Sequence, residues 1–143
     1  MITNERQYRI TKAQVARFER AIRQQTERDT GKEIHPMLRT AQTDALQSQL
    51  ADLRAEIRQY ESLRSRKRPL KLASFDDIPR VLIQARIAAG LSQKELADRM
   101  GLKEQQIQRY EATAYASANL ARVSAVARAL GIKVRAGTLV CSL

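Results

Sequence analysis

Apolar residues recur at Val15, Phe18 and Ile22, one face of a helix, just behind Thr11-Lys12-Ala13-Gln14. That tetrapeptide is a capping-box pattern, in which the Thr hydroxyl and the Gln amide each satisfy an orphan amide at a helix start. The opposite face carries Arg17, Arg20 and Arg23, and Asp29-Thr30-Gly31 is a stop signal, so a first helix is predicted from Thr11 to near Asp29. His35-Pro36 opens a second helical tract, since Pro is tolerated in a first turn. Its Leu46, Leu50, Leu53, Ile57 and Tyr60 alternate steps of four and three, the seam of a short coiled coil, and Asp52, Arg54, Glu56 and Arg58 lie outside it. Two heptads are short for a free-standing coiled coil, so packing against the first helix is expected, with a second subunit as a further partner.

The pattern breaks at Leu63-Arg64-Ser65-Arg66-Lys67-Arg68-Pro69-Leu70-Lys71, which holds five basic residues and no acidic one. This stretch reads either as a solvated hinge or as a phosphate-contacting arm. Beyond it, a helix is predicted from Ile78 or Pro79 to Ala89, burying Val81, Leu82, Ala85 and Ile87 or Ala88, and ending at Gly90. Ser92-Gln93-Lys94-Glu95 is a second capping box and starts another helix, with Leu96, Ala97 and Met100 inward. Gly101 supplies a turn, and a further helix over about Glu104 to Glu111 buries Ile107. A last helix, capped by Ser117 or Asn119, aligns Leu120, Val123, Ala127 and Leu130 and closes at Gly131. Ile132-Lys133-Val134-Arg135-Ala136 alternates apolar and basic residues and predicts a short strand, whose nearest partner is the same strand of another subunit.

Composition narrows the partners. The 143 residues carry a formal net charge of +11, more than solubility requires, so a polyanion is the first partner to expect. The low aromatic content and the absence of Trp fit a helical protein better than a sandwich or barrel. Cys141 is the only cysteine, so neither an intramolecular disulfide nor a structural zinc site is expected around it, and a reducing cytoplasm is the simplest setting. No apolar run reaches membrane-spanning length, and no secretory signal is expected behind Met1-Ile2-Thr3-Asn4-Glu5-Arg6. His35 has no Cys or second His nearby, which favours a cap or linker role over metal binding. With no Gly-rich phosphate loop and no His-Glu metal motif, neither catalysis nor a cofactor is expected.

Two short amphipathic helices meeting at a glycine turn are how a protein lays one helix in the major groove while the other braces it. Gly90-Leu91-Ser92-Gln93-x-Glu95-Leu96-Ala97, then Gly101-Leu102, then Ile107-x-x-Tyr110-Glu111, then Leu120-x-x-Val123 through Ala129-Leu130-Gly131, resemble the helix-turn-helix domain of the Cro and phage-repressor type, the XRE-like regulators. The resemblance spans roughly Ile78 to Ile132. Together with the helical tracts, basic stretch and strand read from the pattern, it makes an all-α chain in which an N-terminal helical hairpin or short coiled coil (residues 1–66) and a basic linker (67–77) precede a five-helix, lambda-repressor-like domain with a C-terminal strand (78–143).

The resemblance also implies roles. Ser92, Gln93 and Lys94 stand where the phosphate backbone is met, at a helix start whose free amides favour an anion. Glu104, Gln105, Gln108 and Arg109, with Lys103 before them, take the base-reading positions. Gln pairs with adenine, Arg with guanine, and Glu accepts from cytosine. Glu104 departs from the commoner Gln, Ser or Arg. It is a base discriminator, a partner for Lys103 or a helix-start charge, with the last two together preferred. Arg86 and Glu111 are spaced as an internal ion pair, and Tyr110 reads as packing. The bland alternative for Gln105, Gln106 and Gln108 is a solvated face of good helix formers.

The implied function is sequence-specific binding of double-stranded DNA by a transcriptional regulator, an autoregulatory repressor acting as a homodimer on a palindromic operator in the bacterial cytoplasm. The N-terminal helices add a looser resemblance to HigA-type antitoxins, carried by Asn4-Glu5-x-Gln7-Tyr8 and Leu53-x-x-x-Ile57-x-x-Tyr60-Glu61. That likeness implies an alternative in which those helices bind a basic, ribosome-dependent mRNA-cleaving toxin while the C-terminal domain represses the operon. A third reading keeps the fold as a protein-interaction module.

Overall fold

A computed structural model describes residues 1–27, 36–65 and 70–132. Every regular element among the described residues is a helix, and the chain divides into two compact units, Met1–Arg68 and Pro69–Leu143.

The first unit is an antiparallel pair of helices, α1 (Glu5–Glu27) and α2 (Pro36–Arg64). α1 starts nearly two turns earlier than Thr11 suggests. Asn4 Oδ1 accepts from the Gln7 amide at 2.9 Å, and Gln7 Oε1 accepts from the Thr3 amide at 2.8 Å, so Thr3, Asn4 and Gln7 cap the helix. Thr11 instead sits inside α1, buried, its hydroxyl donating to the Gln7 carbonyl at 2.9 Å. The capping pattern at Thr11 is therefore a helix-interior Thr satisfied by the turn before it, and Asn4-Glu5-x-Gln7-Tyr8 straddles the helix start.

Leu50 and Tyr60 are buried, and Leu46, Leu53 and Ile57 are half-buried, so the predicted seam of α2 faces inward. Val15, Phe18 and Ile22 of α1 are only half-buried, because a two-helix hairpin covers each seam from one side. Cross-helix polar contacts fix the alignment. The Tyr8 hydroxyl donates to Glu61 at 2.6 Å, Arg64 pairs with Glu5 at 2.8 Å, and Arg54 pairs with Glu19 at 2.7 Å. The Tyr8 and Tyr60 rings stack at 5.1 Å between them.

The second unit begins with a 3-10 turn, Phe75–Asp77, whose Asp77 carboxylate accepts from the Ser74 amide at 3.2 Å and binds Arg80 at 2.6 Å. Four α-helices follow: α3 (Ile78–Ala88), α4 (Gln93–Arg99), α5 (Glu104–Ala112) and α6 (Leu120–Ala129). Their common core is small and aliphatic. Leu82, Ile83, Ala85 and Ile87 of α3, Leu96 and Ala97 of α4, Ile107 of α5 and Val126 of α6 are all buried. Asn119 caps α6, accepting from the Arg122 amide at 2.9 Å, which settles the choice against Ser117. His35, Cys141 and the strand expected over 132–136, Ile132 apart, lie outside the described residues.

Candidate nucleic-acid interface

The α4–turn–α5 segment is fixed first by its own sequence. Ser92 Oγ accepts from the Glu95 amide at 3.1 Å, while Glu95 Oε2 accepts from the Ser92 amide at 2.7 Å. The box satisfies two orphan donors reciprocally. These Ser92 bonds, backbone first and then side chain, hold the Glu95 carboxyl below its ordinary pKa. α4 ends at Arg99 with Met100 as its C-cap, and Gly101 takes φ +65°, a left-handed conformation that costs glycine least. The turn closes with the Leu102 amide on the Ala97 carbonyl at 2.9 Å.

α5 then divides into two faces. Ile107 is fully buried and Tyr110 half-buried, and both hold the helix against the core. Glu104, Gln105, Gln108 and Arg109 are exposed and share the opposite arc, with exposed Lys103 at the N-cap. The structure thus brings the five sequence-predicted base-reading residues to one open surface. Gln106 is exposed but committed elsewhere: its Oε1 accepts from the Lys103 amide at 3.1 Å and caps α5. Lys103 carries no side-chain acceptor, so no local signal announces this cap. Glu104 lies in the first turn, and its Oε1 accepts from Gln108 Nε2 at 3.0 Å, so its hydrogen bond goes along the helix rather than to Lys103. The charge is favoured there by the amides of the helix start.

A buried network ties this face to the rest of the unit. Arg86 of α3 meets Glu111 of α5 with two parallel bonds, Nε to Oε1 at 2.6 Å and Nη2 to Oε2 at 2.7 Å. Both side chains are 2% exposed. The remaining Arg86 nitrogen donates to the Leu91 carbonyl at 2.8 Å, securing the loop before α4. Gln93 joins from α4, its Nε2 donating to Glu111 Oε2 at 2.7 Å. Of the three residues expected at phosphates, Ser92 and Lys94 are therefore exposed at the start of α4, whereas the Gln93 side chain is buried and turned inward.

Past α5 the chain turns through Ala114 (φ +47°) and Tyr115 (φ +58°), neither of which the sequence marked as a left-handed position. The Tyr115 amide donates to the Tyr110 carbonyl at 2.7 Å, and the two rings stack at 6.0 Å. Burial pushes the Tyr115 hydroxyl well above its ordinary pKa, reinforced by the nearby Glu111 charge.

Two short helices at a glycine turn, the second bearing an open polar face and bolted from behind, are the geometry of a major-groove reader. Residues 82–136 match the family model described as helix-turn-helix. This stretch is a helix-turn-helix domain of the XRE, or Cro and phage-repressor, type. The match covers well under half of the chain, and comparison with curated proteins and with solved structures found none that matches. A helix-turn-helix domain of this type supports a DNA-binding role in transcription regulation. Among the described residues no helix is long and apolar enough to cross a membrane.

Proposed function

We propose that the protein is an autoregulatory repressor that reads a palindromic operator as a homodimer. The observation that carries this reading is the open arc of α5, where Glu104, Gln105, Gln108 and Arg109 stand exposed while Ile107 and Glu111 anchor the helix from behind. Gln105 and Arg109 present free amide and guanidinium donors for adenine and guanine edges. Gln108, bonded to Glu104, offers one amide proton and its carbonyl. Ser92 and Lys94, with the backbone amides at the start of α4, supply the contacts to phosphate. Three or four readable side chains specify only a half-site. Two subunits reading half-sites one helical turn apart then reach operator affinity.

An antitoxin of the HigA type would use the N-terminal unit for a basic toxin. The outward face of α1 is itself basic, with Arg17, Arg20 and Arg23 exposed, and would repel such a partner. The repressor reading is favoured for that reason.

The test is binding of the purified full chain to DNA upstream of its own gene, at physiological salt and with excess random duplex. A protected palindrome, with two subunits bound per site, is the expected result. Binding that the random duplex abolishes would overturn the repressor reading, because basic proteins bind any duplex without specificity.

A further inference from the structure

The cationic charge of this protein is not concentrated where the DNA-reading helix lies. Fifteen of its 26 Lys and Arg residues and nine of its 15 Asp and Glu residues fall in residues 1–68, a net of +6 against +5 for residues 69–143. α1 organises much of that excess. Arg6, Arg9, Lys12, Arg17, Arg20 and Arg23 are all exposed. At 3.6 residues per turn they occupy a single arc of roughly 140°, spread over about 25 Å of helix, on the side away from Val15, Phe18 and Ile22.

Three carboxylates of α1 fall on or beside this arc: Glu27 lies one turn past Arg23 at the helix's last residue, and the fold draws the other two away from the cations. Glu5 is drawn to Arg64 at 2.8 Å and Glu19 to Arg54 at 2.7 Å, each an ion pair with α2. Among the described residues no carboxylate bonds to any of the six cations; Arg20 donates to the Ala16 carbonyl and Lys12 lies over the Tyr8 ring. At the centre of the stripe stand Ala13 and Ala16, small enough to let a broad partner approach the cations closely.

We propose that this face of α1 is a second duplex-binding surface, which grips the phosphate backbone of double-stranded DNA without reading its sequence. The chemistry excludes the other obvious partners. A protein interface needs an apolar or aromatic centre, and the stripe has none, Ile10 lying at its edge. Single-stranded nucleic acid is held by stacking on exposed aromatics, but Tyr8 is stacked on Tyr60 and Phe18 is half-buried. A regular row of point cations suits a regular row of phosphates. The proposal rests on the DNA-binding reading of the helix-turn-helix domain only for the source of the duplex.

The test measures full-chain affinity against salt for two duplexes, one carrying the upstream operator region and one of random sequence. In the first variant Arg9→Gln, Arg17→Gln and Arg20→Gln are combined; exposed Gln keeps the helix, which circular dichroism checks. In the second, Ala13→Glu with Ala16→Glu, every cation remains and two anions enter the stripe. Arg58→Gln on α2 is the control. Loss of three phosphate contacts should flatten the slope of log K against log salt by about 2 to 3, and weaken binding to the random duplex at least roughly tenfold. The second variant should weaken both duplexes likewise, and the control should match wild type. Unchanged slopes on both duplexes in both variants would overturn the proposal. If operator preference is absent yet the random-duplex slope still flattens, the repressor reading fails and this surface stands.

Discussion

The Gln93 amide, at the first residue of α4, donates to Glu111 Oε2 at the far end of α5 over 2.7 Å, across the whole helix-turn-helix. A residue position expected to meet phosphate is thereby also an internal strut. Gln93→Ala should lower stability as well as affinity, by about 1.5–3 kcal/mol, since a buried charged acceptor loses a donor. Denaturant unfolding of the free protein separates the two effects. An unchanged midpoint with weakened DNA binding would show that the side chain acts only at the DNA.

Arg86 and Glu111 are both buried and bonded bidentately, so removing one leaves a charge stranded in the core. Glu111→Leu should cost about 3–5 kcal/mol, and Arg86→Met with Glu111→Leu together should cost less than either single change. Chemical denaturation of the four proteins completes the cycle. Additive losses would mean that the pair is not coupled.

Glu95 titrates below its ordinary value of 4.5 because Ser92 donates to its carboxylate. A depressed folded-state pKa contributes stability that is present above 4.5 and lost as pH falls through the folded value. Thermal melting of wild type should therefore drop more than that of Glu95→Gln as the pH is lowered below that range. Gln still accepts from the Ser92 amide but does not ionise. Parallel pH profiles would remove the carboxylate from the account of α4.

Much of this domain was legible because it is local. Ser92 and Glu95 are three residues apart, and the glycine at 101 announces its own turn. The inward turn of Gln93 has no local signal, because its partner lies eighteen residues away in sequence. No spacing rule says which way a helix-start Gln rotates. Thr11 misled for a related reason: a Thr before an apolar run looks like a cap, and only the stronger Asn4–Gln7 arrangement upstream moves the start. The left-handed pair Ala114 and Tyr115 had no local signal, since neither is Gly or Asn.

That pair yields a prediction of its own. Ala114 is exposed at φ +47°, where an alanine Cβ crowds the backbone. Ala114→Gly should raise stability by up to about 1 kcal/mol, the relieved strain outweighing the added chain entropy. A lower melting temperature would show that the turn is not strained.

On the outer face, Gln105 touches no structural partner that the described residues reveal. Gln105→Ala should relax discrimination at one base position by about 1–3 kcal/mol while leaving the melting temperature unchanged. Binding to a panel of single-base operator variants reads this directly. Uniform weakening across the panel would assign Gln105 to the backbone.

The split of α5 into a bolted inner side and an open outer side has an evolutionary corollary. Ile107 and Glu111 anchor the helix to the core, whereas Glu104, Gln105, Gln108 and Arg109 make no core contact and add only surface support, the Glu104–Gln108 bond among it. On the proposed reading, a lineage carrying this scaffold is free to rewrite those four letters and acquire a new target without first repairing its fold.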